Sequence, residues 1–257
     1  MPKHSTSLRA DDTIFGVHPV QEALRSEITL ERIYISEGRR GKALGEVLDL
    51  ARSRHVDVRF EPWERLNTRV GKKDSHQGVV ALLAAYDYVE FEDLLARMQR
   101  ARTAPFLVLL DQIQDPHNLG AILRSAECAG VHGVILTRHK ASSVTPTAIK
   151  VSAGATAYLP VCRVTNLATA IDELKQAGLW IVGTSDKAAQ TYTDVDFSAP
   201  TAIVIGNEEK GLRRLIAEKC DLLVSIPLHG KISSLNASVA TGVLLFEVCR
   251  QREAKKE

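Results

Sequence analysis

The stretch IPLHGKISSLNASVATGVLLFE, residues 226–247, decides how this chain is read. A loop containing Pro227 and Gly230 ends in Ser-Ser-Leu-Asn and runs straight into an apolar helix. Val239, Ala240, Val243, Leu244, Phe246 and Val248 leave that helix no clean polar face, so burial on nearly every side is expected. The free N–H groups of a helix start need acceptors, and one Ser or Asn suffices for a cap. Ser233, Ser234, Asn236 and Ser238 exceed that need, which makes the loop a candidate site as well as a cap.

Upstream of it, short Val/Ile/Leu-rich runs alternate with helical stretches from residue 106 onward. Strands are expected at FLVLL (106–110), 134–136, 161–164, LWIVG (179–183), AIVIG (202–206) and LLVSI (222–226). A helix over 118–130 closes at Gly130. A second opens with Thr145 as cap and Pro146 in its first turn, and a third is capped by Asn166 and stopped at Gly178. Continuous apolar strands separated by helices argue for an α/β domain with a parallel sheet covered on both faces. Ligands of such sheets sit beyond the carboxyl ends of the strands.

A smaller αβ pattern occupies residues 12–85, with strands expected at 14–15, 32–35, 56–60 and 78–84 and helices at 19–25 and 42–54. Residues 1–11 read as a disordered polar tail. Residues 86–104 read as an acidic, aromatic linker with a leading helix over 93–102, and 105–257 as the larger domain.

With 33 basic against 31 acidic side chains the chain has no general polycation character, so nucleic-acid contact must come from local patches. Such patches lie in the small domain: Arg39, Arg40 and Lys42; Arg52 and Arg54; Arg69, Lys72 and Lys73. Each is either solvated loop charge or a phosphate contact. His76 and Gln77 stand where a strand begins, suited to a turn or to RNA. The polar first residues lack a signal-peptide core and no apolar run reaches membrane-spanning length, so a cytoplasmic location is expected. Cys128, Cys162, Cys220 and Cys249 are far apart and form no CxxC pair, which points to buried free thiols and no metal site.

Two further loops follow strands of the large domain. DPHNLGAILR (115–124) places Asn118 as a helix cap, with Arg124 about 9 Å further along the axis, within folding-back reach or simply on the surface. IGNEEKGL (205–212) offers Gly206 and Gly211 for close backbone approach, while Glu208 and Glu209 put negative charge near a helix start, where it is also favoured structurally. No GxGxxG follows a strand, and HGKIS around Lys231 lacks the upstream Gly and following Ser or Thr of a phosphate loop.

NLGAILR, IGNEEKG and IPLHGKISSLNASVATG, in that order, resemble the three motifs of the SpoU/TrmH family of the SPOUT superfamily. That resemblance, over about residues 107–250, implies a trefoil-knotted α/β domain and S-adenosylmethionine-dependent methylation of a ribose 2'-hydroxyl in RNA. The small domain resembles the ribosomal-protein-like RNA-binding domain of one branch, whose substrate is a guanosine of 23S rRNA. By the same carry-over, Asn118, Arg124, Glu208, Ser234 and Asn236 match catalytic positions, and Gly206, Ile226 and Leu235 match donor-binding positions. Arg39, Arg40, Lys72, Lys73 and His76 are the RNA-binding candidates. The family pattern makes the Arg a base; a guanidinium is better suited to anchoring phosphate, and both roles stay open.

Other readings compete. The same chemistry on tRNA or on a ribosomal adenosine differs only in target, and a non-catalytic assembly factor on a degenerate fold would have lost some of these five polar residues. His229 beside the donor loop is either incidental or a base. Finally, a helix over 236–250 that is apolar all round packs on two sides, and one sheet covers only one of them, so a homodimer is expected. Family members pair through this region, which implies that Asn118 or Arg124 of one chain completes the partner's pocket.

Overall fold

The computed structural model describes residues 13–25, 29–70, 76–84 and 86–255, in two compact units divided between Tyr86 and Asp87. The tail 1–11 and the candidates Lys72 and Lys73 lie outside the described residues.

The small unit runs β1 (Thr13–Phe15), α1 (Val17–Arg25), β2 (Leu30–Ser36), α2 (Lys42–Ser53), β3 (Asp57–Glu61), α3 (Trp63–Val70) and β4 (Val79–Leu83). Its sheet has the order β1-β4-β2-β3, with β4 antiparallel to β1 and β2, and β3 parallel to β2. Strand β4, VVALL, shows how a fully apolar strand serves two faces. Val79, Ala81 and Leu83 join Ile33, Ile35, Val20 and Val47 in one core, while Val80 and Leu82 meet Tyr34, Leu66 and Val70 on the other face. Helix α3 was not expected from the sequence, because only Leu66 and Val70 of WERLNTRV are buried, too thin an apolar stripe to register.

The larger unit contains α4 (Phe91–Gln99), β5 (Phe106–Asp111), α5 (Pro116–Cys128), β6 (Gly133–Thr137), α6 (Pro146–Val151), β7 (Val161–Val164), α7 (Leu167–Gln176), β8 (Trp180–Thr184), β9 (Gln190–Thr191), β10 (Thr201–Gly206), α8 (Arg214–Lys219), β11 (Leu222–Ser225) and α9 (Ala237–Ala254). Every strand pairing in the sheet, order β7-β6-β5-β10-β8-β11-β9, is parallel. Strands β5, β6 and β10 are buried throughout, as strands covered on both faces must be. From β5 the chain steps outward through β6 and β7, then returns to place β8, β9, β10 and β11 on the other side of β5. The reversal falls between β5 and β10, the position where α/β sheets open a crevice at their carboxyl ends.

The expected caps at Thr145 and Asn166 are present, each side-chain oxygen accepting an N–H of the following turn. One expectation needs correction. Asn118 does not cap α5: Asp115 does, accepting from His117 N, and Pro116 fills the first helical position where its missing N–H costs nothing. Helix α9 shows the one-sided cover expected of a single chain. Leu244, Leu245 and Val248 are buried, but Val239 and Phe246 are each 52% exposed, because within one chain only one side of the helix is covered. Among the described residues no helix is long and apolar enough to cross a membrane.

Candidate active site

Loop 207–213, after β10, is built by its own side chains. Asn207 and Gly211 exchange backbone hydrogen bonds at 3.0 and 2.8 Å, and the Asn207 side-chain Oδ1 accepts from the N–H groups of Glu209 and Lys210. Gly211 supplies the left-handed φ of +64° that closes the turn. At Gly206 a Cβ would lie 2.3 Å from the Gly211 carbonyl carbon, so the close approach expected there is to the chain's own backbone. The loop is tied to β5 by Asp111, fully buried at the end of the strand. Its carboxylate accepts from Arg213 N at 2.9 Å and Nε at 2.7 Å, and pairs with Nη2 at 2.7 Å. A buried carboxylate so supplied is satisfied; stripped of Arg213 it would be costly.

The three motif loops then meet through side chains. Asn236 caps α9, its Oδ1 accepting from Ser238 N and Val239 N. That fixes the amide so that Nδ2 donates to Asn118 Oδ1 at 2.9 Å. Asn118, 8% exposed, in turn donates from Nδ2 to Glu208 Oε1 at 2.7 Å, and Asn207 Nδ2 reaches Glu208 Oε2 at 3.3 Å. Donors therefore run one way, from the helix start through two amides to a carboxylate with both oxygens engaged. The direction is forced, since an ionised Glu only accepts and a capping Asn must turn its oxygen to the helix.

Glu208 also lines a cavity of about 690 Å³ beyond the carboxyl ends of β8, β10 and β11. Gly206, Ile226, Ser234 and Leu235, all expected at the site, line it as well. Its lining mixes apolar side chains, Leu212, Val224, Leu228 and Ala240 among them, with polar ones such as Thr184, Ser185 and Asp186. A pocket of this size with both apolar and polar lining suits a ligand that carries an apolar ring and polar groups.

Two expected site residues are placed elsewhere. Arg124 is exposed on α5, six residues and about 240° round the helix from Asn118, so it does not fold back to the cavity of its own chain. His76 is 1% exposed; Gly78 N donates to its Nδ1 and its Nε2 donates to Asn67 Oδ1, so both ring nitrogens serve the fold rather than RNA. Burial, and secondarily the nearby Arg39 charge, holds this imidazole below its usual pKa and keeps it neutral. Arg39 and Arg40 are exposed, as a surface contact requires.

The sequence reading missed Asp111, Asn207 and Arg213, although the first had a signal: an Asp closing the apolar run FLVLLD. The thiols offer no alternative nucleophile at the sheet, since burial raises Cys162 to about 11 and Cys220 to about 12.

The chain has counterparts among known proteins. The SpoU rRNA methylase family matches residues 105–246, and the RNA 2'-O ribose methyltransferase substrate-binding family matches residues 13–89. YacO of Bacillus subtilis (strain 168), whose name places it among TrmH family tRNA/rRNA methyltransferases, is 41% identical over 94% of this chain and 96% of its own. The SpoU methyltransferase AviRb of Streptomyces viridochromogenes, solved with the cofactor AdoMet, superposes with a TM-score of 0.60 at 30% identity, covering 94% of this chain and 90% of that one. An AdoMet-bound rRNA methyltransferase from Sinorhizobium meliloti gives a TM-score of 0.61 at 27% identity, over 93% and 86%. With both units matched, the chain belongs to the SpoU/TrmH family of RNA methyltransferases.

Proposed function

We propose that this protein transfers a methyl group from S-adenosylmethionine to a ribose 2'-oxygen of a 23S rRNA guanosine, acting in the cytoplasm. The observation that carries the reading is the one-way chain Asn236–Asn118–Glu208 at the wall of a cavity beyond the strand ends. Gly206, Ile226 and Leu235 would hold the donor, with apolar lining side chains suited to its adenine and polar ones to its charged tail. When bound, the donor supplies an electrophilic methyl group. The chain's part is then to position a hydroxyl and hold charge.

Asn118 and Asn236 keep the Glu208 carboxylate in one orientation at the cavity wall, and Ser234 lines the same cavity as a small hydrogen-bonding group. Arg124 carries the planar donor fork suited to the phosphate next to the target ribose. Because it points away from its own chain's cavity, we assign it to the cavity of a second copy. The surface for that copy is the outer stripe of α9, Val239, Gly242, Val243 and Phe246, beside α5. The small unit, 12–85, is assigned to RNA binding, with Arg39, Arg40, Lys72 and Lys73 as phosphate contacts.

The test is transfer of labelled methyl from S-adenosylmethionine into separate rRNA and tRNA fractions, followed by mapping of the modified nucleotide. Incorporation at one 2'-O position of a 23S guanosine is expected. Label in tRNA alone, or on a base instead of a ribose, would overturn the assignment.

A further inference from the structure

We propose that Trp63 is a stacking platform for an unpaired RNA base, with Arg39 beside it for the adjoining phosphate; this rests on the reading of the small unit as RNA-binding. The topology brings three connections to one end of the small sheet. Register pairs Ile35 with both Phe60 and Val79, so the segment after β2, the segment after β3 and the segment before β4 emerge together. Backbone bonds close them: Ser36 N donates to Gly78 O at 2.9 Å and Glu37 N to Glu61 O at 3.0 Å.

Trp63, at the first position of α3, stays 43% exposed in this setting. Single exposed aromatic residues are ordinary, but this one is braced. Its ring centroid lies 4.3 Å from that of the buried His76, the two planes tilted by 44°. His76 is itself locked at both nitrogens, by Asn67 and by the Gly78 N–H. A rigid ring presented to solvent with its orientation already fixed binds a planar partner at little further cost in side-chain entropy.

Gly78 completes the arrangement. A Cβ there would stand 2.7 Å from Arg39 Cδ and 3.2 Å from Trp63 Cζ3, so the absent side chain lets the arginine stem and the indole share one spot. Charge alone would serve poorly here, because Glu37 and Glu64 are exposed close by in the chain. Arg69 is already engaged, forked onto Glu61 at 2.9 and 3.1 Å with its guanidinium 3.7 Å from the Tyr34 ring centre. Among the described residues Arg39 has no ion pair. A stacking ring with one unengaged cation beside it matches a nucleotide with its base splayed out better than it matches duplex phosphate.

The chain has two tryptophans, so in the full-length Trp180→Phe protein Trp63 is the sole indole. Titration with an oligoadenylate of about ten nucleotides should quench its fluorescence. Trp63→Leu should weaken binding about tenfold without changing the salt slope, Trp63→Phe should keep affinity within about threefold, and Arg39→Ala should flatten the slope by about one. If Trp63→Leu disturbs folding, seen as a lost thermal transition, the quench and the Phe variant decide. Binding of oligoadenylate or 23S rRNA transcript with an unquenched indole and a Trp63→Leu affinity within twofold would overturn the platform and leave RNA binding standing; such a ring would be a protein contact. No binding of either RNA would overturn the RNA reading of the small unit, and the platform with it.

Discussion

Asn118→Asp tests the direction of the hydrogen-bond chain at the cavity. The substitution changes one group: the NH₂ that donates to Glu208 Oε1 at 2.7 Å becomes an oxygen. The other half of the side chain still accepts from Asn236. Two carboxylates this close would repel by about 6 kcal/mol at an effective dielectric of 20, and by about 4 kcal/mol after relaxing to 4 Å. Taking up a proton matches that relaxed cost near pH 7 and is the cheaper response below it. For a carboxyl of ordinary acidity that costs about 4 kcal/mol at pH 7, and about 1.4 kcal/mol less for each unit the pH falls. The shared proton then restores a donor between the two oxygens.

The sign is therefore fixed. The pair binds its proton more tightly folded than unfolded, so the variant keeps its stability at low pH and loses it as the pH rises. Urea unfolding of wild type and variant between pH 5 and 8 should show a deficit of about 3–4 kcal/mol near pH 7.5, shrinking to about 1 kcal/mol near pH 5. Asn118→Ala is the control. It leaves an acceptor and a donor without partners and should cost about 1–3 kcal/mol at every pH. A deficit in Asn118→Asp that does not change with pH would refute the assigned polarity of the chain.

Further outcomes follow from other parts of the structure. Arg252 donates to the carbonyls of Phe197, Ala104, Pro105 and Ala199, pinning the end of α9 to two loops, so Arg252→Lys, which lacks the fork, should lower stability by about 2–3 kcal/mol in the same unfolding assay. Arg124→Ala and Arg124→Lys should each abolish methyl transfer while calorimetry shows unchanged donor binding; lost donor affinity together with a lowered melting temperature would make Arg124 structural instead. Replacing Arg39, Arg40, Lys72 and Lys73 by Ala should weaken RNA binding and flatten its salt dependence, with turnover at saturating RNA preserved, and an unchanged slope would return them to solvated loop charge. Phe246→Asp should split a two-copy assembly in sedimentation, and an active wild-type monomer near 28.2 kDa would rule that assembly out.

Much of the fold could be read from the chain because its strongest signals are local. FLVLL, AIVIG and the run before Thr137 are apolar at every position, and only a strand covered on both faces keeps such a run dry. Thr145 and Asn166 announce helices through chemistry complete within one turn. Where two local signals overlap, the reading slips. Both Asp115 and Asn118 are capping residues, and the Pro116 between them decides for the first, since its fixed φ suits the opening position of a helix. Short elements fail for the opposite reason: α8 buries only Ile216 and β9 has two residues, too little pattern to detect.

The site was legible as a list of residues and illegible as an arrangement. Asn118, Glu208 and Asn236 stand out in sequence as polar groups at strand and helix ends, yet nothing local says that they touch, since 90 and 118 residues separate the bonded pairs. Sequence also cannot distinguish a charge that reaches solvent from one the fold consumes. Arg69 and Arg39 both read as loop cations beside a glycine, but Glu61 and Tyr34 take up the first while the second stays exposed next to Trp63. His76 shows the same effect in a neutral group, spent on Asn67 and Gly78. What the tertiary structure adds at each of these places is the pairing of donors with acceptors. It follows that a charge-preserving swap should be tolerated at Arg39, as Arg39→Lys, and not at Arg69, where the fork and the ring contact have no ammonium equivalent.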